Sequence, residues 1–211
     1  MSKGDVKIIT ILLVVIIFFS CILIYKIQSK PKFDQKLYDE IYSEYKEFLV
    51  STEDKETKKE KNSKNKDKTI YTIENSQGQR YRIAGEICIP KIRINYPIVY
   101  ETTEDYLKIA PTKLFGPDIN EVGNFCIVGH NYRNKQFFSR INELEINDIV
   151  YLTNNRGKKF KYLVYNKYEV DENDLSCTSQ ETNENIEATL ITCTSAKKNR
   201  LVVKCRNINK E

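Results

Sequence analysis

The sequence predicts an all-β domain, a closed barrel of seven or eight antiparallel strands with short helices, preceded by an N-terminal transmembrane helix. Three observations carry this reading. From about Ile70 the chain breaks into short runs rich in β-branched and aromatic residues, separated by turn-forming ones. Little helical periodicity interrupts those runs, and so many strands in so short a domain must close on themselves to bury their edges. Ahead of them stands a stretch without a single charge, "IITILLVVIIFFSCILIY", Ile8 to Tyr25.

That stretch is close to the shortest helix able to cross the hydrocarbon core at about 1.5 Å per residue. No small-residue cleavage site follows it, so an uncleaved anchor over residues 1–27 is expected rather than a signal peptide. Residues 28–69 divide in two. Phe33, Leu37, Ile41, Tyr45, Phe48 and Leu49 recur at helical spacing, which predicts an amphipathic helix packed on the domain or on the membrane surface. "STEDKETKKEKNSKNKDK" then offers no apolar group, cannot offset the entropy of ordering, and reads as a flexible linker.

Residues 70–211 hold the barrel. "YRIAGEICI" and "IRINYPIVY" are two strands joined through Pro90, and "TTEDYLKIA" is a short helix with Thr102 or Thr103 as its N-cap. "GNFCIVGH" is a buried strand ending at His130. "FFSRINELEINDIVYL" is a helical turn followed by a strand, and "KKFKYLVYNKYEV" is another strand. After the polar stretch Asp171 to Asn185, "IEATLITC" and "RLVVKCR" close the domain.

Composition narrows the function. The net charge of +5 is spread along the chain, with no basic stripe interleaved with aromatics, which argues against nucleic-acid binding. The six cysteines contain no CxxC pair, and a single histidine makes a zinc site improbable. A domain of this size builds its own core and has no need of a disulfide framework. Cys88, Cys126 and Cys205 fall inside apolar runs and read as core residues. Cys177 lies in a polar stretch and reads as incidental.

Two residues stand at strand ends, where a barrel presents functional groups. His130 follows "FCIV" and a glycine. Cys193 ends "IEATLIT". Six residues, "TSAKKN", separate Cys193 from Arg200. If the two strands pair antiparallel, Cys193 and Arg200 face each other at about one ladder spacing, near 5 Å. Arg206 is six positions further along its strand, roughly 20 Å away, and cannot serve the same site.

These motifs, "TLITC" with the downstream Arg200 and "VGHN" with its His130 some sixty residues earlier, resemble those of the sortase family. "GEICIPKIRINYPIV" is similar to the family's opening hairpin. The resemblance covers roughly Ala84 to Cys205 and implies a role for each residue. Cys193 would be the nucleophile of a cysteine transpeptidase, cleaving an LPxTG-like sorting signal between Thr and Gly through a thioacyl intermediate. His130 would be the general acid and base. Arg200 cannot give up its proton, so its donors would serve the oxyanion or the substrate backbone.

The implied partners are secreted proteins with a C-terminal sorting signal, and a peptidoglycan precursor or another amine acceptor. No cofactor or metal is expected. No Asp-Pro-aromatic lid motif and no C-terminal span occur, which disfavours a pilin-polymerising member and leaves the subclass open. The alternative is a membrane-tethered binding module with the same barrel and no turnover. Papain-like peptidases fit worse, since they place the Cys before the His.

Lysine counts on either side of the span favour a cytosolic domain. The implied substrates lie outside the membrane and favour the opposite. With only seven residues ahead of the span, the expectation is a single-pass cell-membrane protein whose catalytic domain is extracellular.

Overall fold

Strand β2 organises the domain. In a computed structural model of the protein, which describes residues 12–13, 15–21, 35–56, 71–132, 135–194 and 198–208, β2 (Arg80–Ile89) borders three strands. It pairs antiparallel with β1 (Tyr71–Glu74), β3 (Ile94–Val99) and β6 (Ile149–Thr153). The switch occurs at Gly85, where the register with β3 shifts. Gly85 has φ +151°, and a Cβ there would meet the Thr153 carbonyl oxygen at 2.4 Å. Only glycine permits so close a crossing.

From β3 the sheet continues through β4 (Thr112–Phe115), β5 (Gly123–Val128), β8 (Ile186–Cys193), β9 (Asn199–Asn207) and β7 (Lys159–Asp171) to β6. The β6–β2 pairing closes it. Eight strands form the barrel, and β1 adds a short flap to β2. The expected barrel of seven or eight strands is therefore present. The expectation that it is wholly antiparallel is corrected: β5 and β8 pair parallel over six residues, and β3 meets β4 parallel at Val99 and Thr112. Parallel neighbours need a crossover connection. Between β3 and β4 that connection carries helix α2 (Glu104–Leu107), whose N-cap is Thr103, accepting from the Tyr106 N–H.

Period-2 alternation fills the interior. Ile87, Ile89, Phe125, Ile127, Leu152, Tyr162, Ala188, Leu190 and Val203 point inward into one buried cluster. A second cluster lies under α1 (Gln35–Glu56). Its residues Ile41, Tyr45 and Leu49 pack on Ile73, Tyr81, Ile83, Val99 and Ile109. The Tyr45 hydroxyl donates to Asn155 Oδ1 at 3.0 Å. α1, which sequence grouped with the linker, is thus part of the same packed unit as the barrel, Asp34–Glu211. It also runs further than its apolar stripe, through Glu56. The rest of the expected linker lies outside the described residues.

Of the first unit, Met1–Phe33, residues 12–13 and 15–21 are helical and exposed. Among the described residues no helix is long and apolar enough to cross a membrane. The span expected over Ile8–Tyr25 lies partly outside them.

The cysteines are all free thiols. Cys126 and Cys205 are fully buried, as expected. Cys88 is only half-buried. Cys177 departs from its reading as incidental: the 3₁₀ turn Ser176–Thr178 carries it onto Ile191 and Val202, where it is 4% exposed. A polar stretch buries one apolar residue where the loop folds back on the barrel.

Candidate active site

The inward residues of β5 and β8 determine what faces outward. Ala188 and Leu190 fill the core, so Thr189, Ile191 and Cys193 lie on the outer face of β8. On β5 the same alternation carries Cys126 and Val128 to that face, and His130 follows two residues beyond the strand's end. The parallel register pairs Val128 with Ile191, and the Gly129 N–H donates to the Ile191 carbonyl at 3.1 Å. Two residues further on each chain stand His130 and Cys193, and their segments are joined where Asn131 Nδ2 donates to the Cys193 carbonyl. The parallel pairing that sequence did not anticipate is what brings the two together.

β9 supplies the third group. Cys193 and Arg200 are register partners, as the spacing predicted. Arg200 Nη1 donates to Cys193 Sγ at 3.4 Å. All three side chains are half-buried, sheltered yet reachable. Arg206 is elsewhere, paired with the buried carboxylate of Glu187 at 2.8 Å. Lys198, between Cys193 and Arg200, is exposed.

Several residues around this centre were not singled out by the sequence. Asn131 Nδ2 donates to the Cys193 carbonyl at 2.8 Å, tying the strand end at Cys193 to the residue after His130. Thr192 Oγ1 donates to the Gly129 carbonyl at 2.7 Å and joins the same two segments from the inside. Gly129 must be glycine: a Cβ there would meet the Phe138 ring at 2.9 Å, and Phe138 donates its N–H to the His130 carbonyl. The Glu172 carboxylate stands 4.0 Å from Arg200 Nη2. Asn131 could be suspected from "GHN"; Glu172 could not, being one of several acids in a polar stretch.

That stretch walls the outer face beside β8. Asn124, fully buried, donates through Nδ2 to the carbonyls of Cys177 and Ser179 at 3.0 and 3.1 Å. Gln180 closes the clip, accepting from the Asn124 N–H and donating to the Asn124 carbonyl. Thr189 Oγ1 donates to Asn124 Oδ1 at 2.6 Å.

Burial acts on the thiols of Cys126, Cys205, Cys177 and Cys88. It pushes the Cys126 thiol up to about 12, and raises those of Cys205, Cys177 and Cys88 as well. Those four are poor nucleophiles, because the thiolate is the reactive form. A reachable thiol beside a guanidinium, with a histidine on the adjoining segment, has the parts needed for acyl transfer: nucleophile, proton carrier and anion stabiliser.

Known proteins carry the same barrel. Solved structures of sortases superpose on the chain. Those include a Clostridium perfringens sortase D5, at TM-score 0.59 and 24% identity over 79% of this chain and 95% of that one. A lid mutant of sortase A from Corynebacterium diphtheriae aligns at TM-score 0.58 and 22% identity, covering 80% and 96%. Sortase A of Bacillus anthracis is 28% identical over 131 residues, 62% of this chain and 61% of that relative's length. The family model for the Sortase domain matches residues 87–208, a span that contains His130, Cys193 and Arg200 and exceeds half the sequence. The chain belongs to the sortase family.

Proposed function

We propose that the chain is a membrane-anchored cysteine transpeptidase that cleaves an LPxTG-like sorting signal between Thr and Gly and passes the acyl group to an amine acceptor of the cell wall. One observation supports it above the others: the Cys193 thiol accepts from Arg200 on the outer face of the barrel, where Asn131, the residue after His130, donates to the Cys193 carbonyl.

The chemistry follows from those atoms. Cys193 Sγ, as thiolate, attacks the threonyl carbonyl carbon, and a C–S bond forms. Negative charge moves to the carbonyl oxygen, where the Arg200 fork can donate to it. The C–N bond breaks as His130, as imidazolium, gives its proton to the departing glycyl amine. The acceptor amine then attacks the thioester carbonyl and loses a proton to His130, and the thiolate leaves.

The test is a library of sorting-signal peptides incubated with the protein and an amine nucleophile, read by mass spectrometry. The expected products are a mass adduct on the Cys193 peptide and a peptide ligated to the amine after Thr. Binding of signal peptides without adduct or ligation would overturn the proposal in favour of a non-catalytic binding module.

The proposed topology has Met1 to Lys7 inside and residues 27–211 outside, because the substrates are met there. Protease added to intact, wall-stripped cells should degrade the domain. Protection until lysis would overturn both this orientation and the proposed substrate.

A further inference from the structure

Outside the three groups at the site, a continuous run of aromatic contacts links α1 to His130. On α1, Tyr38 and Tyr42 stack with ring centroids 5.4 Å apart. Both grip β3: the Tyr38 hydroxyl donates to the Asn95 carbonyl at 3.3 Å, and Asn95 Nδ2 donates to the Tyr42 hydroxyl at 2.9 Å. Tyr38 then meets Tyr96 edge to face at 5.6 Å. Tyr96 meets Phe137 in the same way at 5.1 Å, and its hydroxyl accepts from the Phe137 N–H at 3.2 Å. Phe137 lies 5.5 Å from Tyr132, whose ring is 5.0 Å from the imidazole of His130.

Phe137 is the pivot. It has φ +49°, a left-handed conformation that a bulky residue adopts only where its surroundings over-determine it. Here the surroundings are Tyr96, which holds both its ring and its N–H, and a β-bridge to Asn131. Asn131 in turn donates to the Cys193 carbonyl. One strained, fully buried residue therefore connects the α1–β3 side of the domain to the chain segments carrying both His130 and Cys193.

We propose that Tyr96, backed by Tyr38 of α1, is a positioning residue that holds the His130 loop through Phe137 in register with Cys193. This rests on the transpeptidase reading above. On this account α1 is part of the enzyme rather than a spacer between anchor and barrel. Displacing the imidazole by a fraction of an ångström weakens proton transfer more than it weakens substrate binding.

The experiment uses the full chain in detergent with ¹³C-labelled histidine. A chain with one histidine gives one imidazole Cε1–H resonance, which reports His130 directly. Three variants are compared with wild type: Tyr96→Leu, Tyr96→Phe and Tyr38→Leu. Tyr96→Leu should lower kcat about tenfold with KM within about twofold, and should shift or broaden the imidazole resonance. Tyr96→Phe keeps the edge-to-face ring contacts and should recover most of the rate. Tyr38→Leu should fall between the two, with circular dichroism unchanged.

An unaltered imidazole resonance in Tyr96→Leu and Tyr38→Leu, or a loss confined to KM, overturns the proposal. Should Tyr96→Leu fail to fold, Tyr38→Leu decides by the same two readouts. If wild type itself transfers no peptide, the transpeptidase reading fails, and the resonance still decides whether Tyr96 and Tyr38 position His130.

Discussion

Removal of the Arg200 fork should cost activity and almost no stability, and the structure sets both magnitudes. Arg200 donates to Cys193 Sγ from 3.4 Å, so its donors lie where the oxygen of a carbonyl attacked by that sulfur develops charge. Loss of one such donor costs about 10²–10³ in rate, or about 2.7–4 kcal/mol. On the stability side Arg200 is half-buried, and its carboxylate neighbour Glu172 is 4.0 Å away and more than half exposed. A pair of that kind contributes at most about 1 kcal/mol. For Arg200→Ala the expected outcome is therefore a fall of about 10²–10³ in kcat/KM with Tm within about 4 °C of wild type. Arg200→Lys keeps the charge without the planar fork and should recover only a small part of the loss. Steady-state cleavage of a fluorogenic signal peptide and a thermal melt on the same samples supply the two numbers. A variant keeping a third of its activity, or one whose loss tracks a collapsed melt, would refute the role assigned to Arg200.

Cys193→Ala should abolish cleavage and transfer, with retention of a tenth of wild-type turnover sinking its role as nucleophile. Iodoacetamide at pH 8 should modify Cys193 well before Cys126, whose thiol, pushed up to about 12 by burial, is only about 10⁻⁴ ionised there; equal rates by peptide mapping would contradict the burial argument. Tyr45→Ala removes a fully buried ring and its bond to Asn155, and should cost about 3–5 kcal/mol, or about 10–15 °C in Tm by calorimetry. An unchanged melt would mean that α1 does not stay docked in solution. Asn131→Ala should lower kcat about tenfold by freeing the strand end of Cys193; an undiminished kcat would leave Asn131 without a role at the site.

The candidate site was more legible than the packing that assembles it. "IEATLITC" reads as a strand from composition, and β8 spans those eight residues. The spacing to Arg200 determines the antiparallel partner because a short loop leaves few registers, and Cys193 does face Arg200. His130 was legible as a strand-end residue, but not as a neighbour of Cys193. Their approach depends on the parallel pairing of β5 with β8, and residues this far apart carry no local signal of which strands will meet.

The periodicity of α1 likewise showed that it has an apolar face, since 3.6-residue spacing is local. What covers that face is not local. Ile41, Tyr45 and Leu49 are buried because β1, β2 and the approach to β4 happen to leave an apolar surface there. The same holds for Cys177, which a polar neighbourhood disguised and a fold-back of the loop buried. By itself, then, the sequence determined strands β2, β3 and β5 to β9 and the three chemically capable residues, because each depends on neighbours along the chain; the four-residue strands β1 and β4 were too short to stand out. Only the tertiary structure decided which strands adjoin, which helix face is covered and which side chains hold the site in place, because those depend on contacts that close long loops.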